Sequence, residues 1–129
     1  MQKVTGIGGV FLKAKDAKAL ADWYDEHLGF SFGENLYVNF KWVNKNNPAV
    51  PGNTVFSFFK NESNYFEPSA SPFMINFRVK DLKNLLEKLN KERVEFVGEV
   101  VEEEYGKFGW ILDPEENKIE LWEPYDEKL

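Results

Sequence analysis

Glu120 sits in a stretch that reads as two strands joined by a turn, Phe108 to Leu112 and Lys118 to Trp122, with Asp113-Pro114-Glu115-Glu116-Asn117 between them. Strand alternation puts Glu120 and Trp122 on one face, opposite Ile119 and Leu121, and pairing across the turn brings Trp110 beside Glu120 on that face. A carboxylate framed by two indoles can serve as a general base. Its alternative role is structural, accepting hydrogen bonds from backbone or Arg78 and holding two parts of the chain together. A second set comes from Phe73 to Val79, where Ile75, Phe77 and Val79 are wholly apolar and Met74, Asn76 and Arg78 alternate with them. If the apolar set packs under a helix, the mixed set faces a cleft. It then offers an adaptable methionine wall and donors able to orient an anionic or carbonyl-bearing ligand. Phe11, Trp42 and Tyr105 join Trp110 and Trp122 as aromatic candidates for lining that cleft, with plain core packing as the alternative for each. Tyr105 and Lys107 flank Gly106 after Glu102-Glu103-Glu104, a solvated rim whose glycines allow a lid.

Other chemistries are excluded by residue type. The chain has no Cys, which removes disulfides, thiolate ligands and a thiol nucleophile together. The single His27 falls near the end of a helical stretch, so no Ser-His-acid set can form. Gly6, Gly8 and Gly9 open a strand and do not form a phosphate-cradling loop between strand and helix. A net charge of −6 and a pI near 4.9 oppose the field of a polyanion, so neither nucleic acid nor an anionic membrane surface is an expected partner. The start, MQKVTGIGGVFLKAKD, lacks a basic segment followed by a long apolar core, and no apolar run approaches the roughly 18 residues of a membrane span. A cytoplasmic protein is the default expectation.

The elements that must position these residues come in a doubled pattern. Gly8 to Asp16 (GGVFLKAKD) and Phe73 to Asp81 (FMINFRVKD) are both alternating runs that end in Lys-Asp and open a Leu-bearing helical stretch. Asp16 caps a helix over about Ala17 to Leu28, with Leu20, Tyr24 and Leu28 on one stripe and Gly29 as its left-handed stop. Asp81 caps a second over about Leu82 to Lys91, with Leu82, Leu85, Leu86 and Leu89 on its buried side. Strands are expected from Ile7, over Leu36 to Val43, over Thr54 to Lys60 after the loop Asn44 to Asn53, over Val94 to Val101, and in the final pair around Glu120. At 129 residues, 43% hydrophobic and 16% aromatic, one domain is expected over 1–129. Its modules are 1–62 and 73–129, joined by the Pro- and Ser-bearing loop 61–72.

The doubled strand-to-helix unit, together with Asp113-Pro114-Glu115-Glu116-Asn117-Lys118-Ile119-Glu120-Leu121, resembles the glyoxalase/bleomycin-resistance/dioxygenase superfamily, also called vicinal oxygen chelate proteins. The motif is close to that family's DP-x-G-N-x-I-E-L, with Glu116 where Gly is usual. The resemblance implies an α+β fold of two βαβββ modules forming a curved mixed sheet around a cleft, commonly in a homodimer. It also implies a metal site in many members, with a ligand from the first strand of each module and a Glu from the last strand of the second. Carried over by position, those places hold Gly9, Met74 and Glu120, and the strand Thr54 to Phe59 supplies no carboxylate or imidazole. One carboxylate does not hold a divalent ion against bulk hydration, so neither a metal nor another cofactor is expected. The expected function is binding of a small organic molecule, planar or anionic, in the cleft. The alternatives are a lyase, isomerase or dioxygenase using Glu120, and an interaction module whose cleft is filled by its own aromatics.

Overall fold

The computed structural model describes residues 4–43, 45 and 47–126. Strand β1 (Val4–Ala14) leads into helix α1 (Ala17–Leu28), and β2 (Tyr37–Val43) and β3 (Pro51–Lys60) follow as a hairpin. The second half runs β4 (Phe73–Val79), α2 (Leu82–Lys91), β5 (Glu95–Phe96), β6 (Val101–Glu103), β7 (Gly106–Leu112) and β8 (Lys118–Pro124). One eight-stranded mixed sheet results, in the order β2-β3-β1-β4-β8-β7-β5, with β6 also paired to β7. Its centre is the antiparallel pair β1 and β4, with Val10 opposite Ile75 and Phe11 opposite Met74. Outward from that seam the pairing is the same on both sides: a parallel partner (β3 for β1, β8 for β4), then an antiparallel one (β2, β7). No helix among the described residues is long and apolar enough to cross a membrane.

Local chemistry sets the helix ends. The Asp16 carboxylate accepts from the Ala19 backbone N–H at 3.0 Å and the Asp81 carboxylate from that of Asn84 at 3.1 Å, caps that each contribute about 1 kcal/mol. Gly29 stops α1 in the left-handed region at φ 71°. Both helices lie on the same side of the sheet chemistry: Ala17, Ala21, Leu20 and Tyr24 pack on Leu12, Ala14, Phe56 and Phe58, while Leu82, Leu85 and Leu86 pack on Phe77, Val79 and Leu121. Burying each of those leucines stabilises the fold by roughly 1.5–3 kcal/mol. With Phe77 and Val79 spent on α2, alternation turns Met74, Asn76 and Arg78 to the other face, where Met74 packs with Phe11 and Phe66.

Several element boundaries differ from the sequence expectation, among them β7, which begins at Gly106, and β8, which runs on to Pro124. Strand β1 begins at Val4, because Val4 still pairs with Val79. Strand β3 begins at Pro51, because β2 runs on to Val43 and pairs with it, which shortens the loop expected over Asn44 to Asn53. Asn44 and Asn46 of that loop lie outside the described residues. The single strand expected over Val94 to Val101 is broken into β5 and β6, since Gly98 at φ 68° turns the chain between two short pairings with β7.

Candidate functional site

Glu120 lies on β8 between Trp110 of β7 and Asn76 of β4, its neighbours in register on either side. It is 2% exposed. Its Oε1 accepts from Asn76 Nδ2 at 2.6 Å; its Oε2 accepts from Trp110 Nε1 at 2.8 Å and from the Tyr65 hydroxyl. A buried carboxylate costs several kcal/mol unless donors replace its water, and three donors from three elements do so here. Tyr65 comes from the connector between β3 and β4. Lys118 Nζ donates to its carbonyl at 2.7 Å, its ring stacks on Phe59 at 5.4 Å, and Ser71 Oγ donates to Asn117 Oδ1 at 3.0 Å farther along the connector. Burial, then the negative charge of Glu120 and the hydrogen bond to it, push the Tyr65 phenol well above the usual tyrosine range. Tyr65 therefore stays a neutral donor at ordinary pH.

Above this network opens a cavity of about 440 Å³, lined by Gly8, Phe11, Tyr37, Asn39, Val55, Ser57, Phe59, Asn76, Tyr105, Phe108, Glu120 and Trp122. Phe108 and Trp122 stack at 5.9 Å and form one flat wall. Gly8 is there because β1 carries an irregularity between Ile7 and Gly9, which pair with Phe77 and Asn76, leaving Gly8 as the extra residue. A Cβ at Gly8 would stand 2.2 Å from Asn76 Oδ1 and 2.8 Å from the Trp122 ring, so only glycine lets those side chains approach the strand. Asn76 Oδ1 and Asn39 Oδ1 are buried with no hydrogen-bond partner in the protein.

The residues singled out from sequence divide accordingly. Phe11, Asn76, Tyr105, Glu120 and Trp122 line the cavity. Trp110 reaches it only through Glu120, and Met74 is buried beneath Phe11 beside Phe66. Arg78 lies on the expected face but does not line the cavity. Its Nη1 donates to Asp126 Oδ1 at 2.9 Å and to the Asn53 carbonyl at 3.1 Å, and its Nη2 pairs with Asp126 Oδ2. The guanidinium lies between Trp42, 5.0 Å away, and Trp122, 5.6 Å away. Trp42 is committed to that stack and to Thr54 Oγ1 at 3.0 Å, so it does not line the cavity either. Sequence reasoning missed Tyr65 and, among the lining residues, Gly8, Phe108 and the β2 and β3 contributors Tyr37, Asn39, Val55, Ser57 and Phe59. For Tyr65 the available signal was Tyr65-Phe66, an aromatic pair inside an otherwise polar, Pro-bearing connector.

The model of the glyoxalase/bleomycin resistance protein/dioxygenase superfamily matches residues 6–121. The chain belongs to this superfamily. No curated protein matches the sequence at a significant level. Among solved structures, methylmalonyl-CoA epimerase from Mycobacterium tuberculosis is 19% identical with a TM-score of 0.61, covering 98% of this chain and 93% of its own. A Streptomyces coelicolor methylmalonyl-CoA epimerase variant in complex with 2-nitronate-propionyl-CoA is 13% identical with a TM-score of 0.67, over 95% and 99%. A superfamily member from Vibrio splendidus 12B01 is 12% identical with a TM-score of 0.59, over 91% and 97%. At these identities the likeness is one of fold.

The superfamily metal set does not fit the residues of this member. No three His, Cys, Asp or Glu side chains converge among the described residues. Around Glu120 stand a phenol, an indole N–H and a carboxamide N–H, each donating to it where a cation would need further lone pairs.

Proposed function

We propose that this superfamily member binds a small organic molecule in the cleft, with Glu120 as a buried structural anchor and no metal ion at the family position. The observation that carries the reading is the occupancy of Glu120: both carboxylate oxygens accept from Tyr65, Trp110 and Asn76 at the edge of a 440 Å³ aromatic cavity. A general base needs a lone pair aimed at substrate, and three of the roughly four acceptor sites of this carboxylate are taken by protein donors, which favours binding over a lyase, isomerase or dioxygenase role. The cavity volume is within the range of small-molecule sites, which favours binding over a self-filled interaction module. The acyl-CoA compounds named in the epimerase complexes are not carried over, since no Lys, Arg or His is among the residues lining this cavity.

The test is a screen of aromatic metabolites read by tryptophan fluorescence, repeated on Val55→Phe, which fills the cavity from β3. Saturable changes that vanish in the filled variant support the proposal. Saturable binding that survives in Val55→Phe, or turnover that Glu120→Gln abolishes in a folded protein, would overturn it. Native mass spectrometry of the same sample reads any metal carried and the homodimer that the resemblance implies.

A further inference from the structure

The unpartnered buried polar atoms of the residues lining this cavity are of one kind, amide oxygens. Asn76 is 2% exposed, and its Nδ2 donates to Glu120 Oε1 at 2.6 Å, which turns Oδ1 the other way, to the Gly8 wall. That Oδ1 has no donor in the protein; of the three such buried amide oxygens among the described residues, those of Asn76 and Asn39 belong to residues that line this cavity, from β4 and β2. Buried polar atoms are almost always hydrogen-bonded in folded proteins, so two orphan acceptors on one cavity point to donors brought by its occupant. The charge pattern agrees. Glu120 is the sole carboxylate among the lining residues and none of them is cationic; of the cations outside the lining, Arg78 is held by Asp126, and Lys118, close enough to feel the charge of Glu120, donates to the Tyr65 carbonyl. An anion entering here would meet a buried like charge and no counter-ion among the lining residues. The walls, Phe11, Val55, Phe59, Phe108 and Trp122, are apolar and include a stacked pair that suits a flat ring.

We infer that the ligand of this cleft is a neutral planar aromatic molecule bearing hydrogen-bond donors, such as a phenol, an aromatic amine or an aromatic carboxamide, and that the site rejects the corresponding carboxylates. The inference rests on the binding reading above and narrows it. A preference of this kind arises because each donor satisfies an acceptor that is otherwise left buried and unpaired, whereas a carboxylate adds a third acceptor.

The experiment compares naphthalene carboxamide with naphthalene carboxylate, which share a shape and differ in NH₂ against O⁻, by titration calorimetry at neutral pH. Tighter binding of the carboxamide by about tenfold or more is expected. Equal or tighter binding of the carboxylate overturns the ligand class while leaving the cleft a binding site. Saturation by neither probe, nor by any compound of the wider screen, overturns the binding reading itself. Asn76→Ala should bring the two affinities together. Because that variant also strips a donor from Glu120, the side-chain amide signal of Asn76 is followed by NMR in the unmodified protein. It should shift saturably with the carboxamide, and a signal that stays still overturns the role of Oδ1.

Discussion

Replacing Tyr65 by Phe removes one oxygen atom and tests the account of Glu120 directly. The ring remains free to stack on Phe59 and to meet Trp110 edge-on, so packing is conserved, but Oε2 of a residue that is 2% exposed keeps only the Trp110 donor. A hydrogen bond to a buried charge contributes about 1.5–3 kcal/mol, since its loss leaves the acceptor poorly solvated. Unfolding entropy scales as about 2.1 cal/mol/K per residue, so a chain of 129 residues loses roughly 4 °C of Tm per kcal/mol. Tyr65→Phe should therefore unfold about 6–11 °C below the unmodified protein in calorimetry, with a matching shift in urea midpoint and an unchanged slope. Tyr37→Phe, at a residue 53% exposed, is the control and should stay within about 0.5 kcal/mol. Since Trp110 donates to the same oxygen, Tyr65→Phe and Trp110→Phe should be non-additive by at least about 0.5 kcal/mol. A Tyr65→Phe protein as stable as the control, or strict additivity with Trp110→Phe, would refute the reasoning.

Arg78→Met should cost about 3–5 kcal/mol by stranding Asp126, a loss read in the urea midpoint, and Asp126→Asn should cost a similar amount, because it leaves the more deeply buried Arg78 guanidinium without a counter-charge. Glu116→Gly should raise stability by up to about 1 kcal/mol in the same assay, because the exposed Glu116 holds φ 64°, a left-handed conformation that glycine adopts without a Cβ clash. The Tyr65 phenol has a folded pKa above its unfolded value, so its contribution to stability is complete below about pH 10 and is lost as pH rises from there. Urea midpoints should consequently fall more steeply above about pH 10 in the unmodified protein than in Tyr65→Phe, and parallel curves would contradict this.

What could be read in advance was what local rules determine. Asp16 and Asp81 start helices through a hydrogen bond three residues ahead, and the Leu stripe of α2 dictates which side of β4 it covers, so the opposite face of Met74, Asn76 and Arg78 follows from period two alone. Pairing across the Asp113–Asn117 turn is likewise local, which is why Trp110 could be set beside Glu120. Tyr65 could not, because the connector has no periodicity to say where a side chain points, and its partner is 55 residues away. The same holds for Arg78: its face was legible, but Asp126, 48 residues on, takes the guanidinium away from the cleft. Gly8 enters the cavity only because of an irregularity in β1 that depends on pairing with β4, a contact invisible along the chain. Counting positions back from Asp16 and Asp81 led to Gly9 and Met74, whereas the register sets Asn76 opposite Glu120.

The seam between β1 and β4 bears on how quickly the protein can assemble. The hairpins β2–β3 and β7–β8 close over short loops and each helix forms next to its own strand, but the seam joins Val10 to Ile75 and Val4 to Val79. Closing so long a loop costs entropy before any ladder bond offsets it, so mating of the two halves should be the slow step of refolding. Until it happens, β1 and β4 each present an open edge of matching antiparallel character, and either can be met by the same edge of another molecule. Refolding yield should then decline with protein concentration, through half-chains exchanged between neighbours in place of the intramolecular seam.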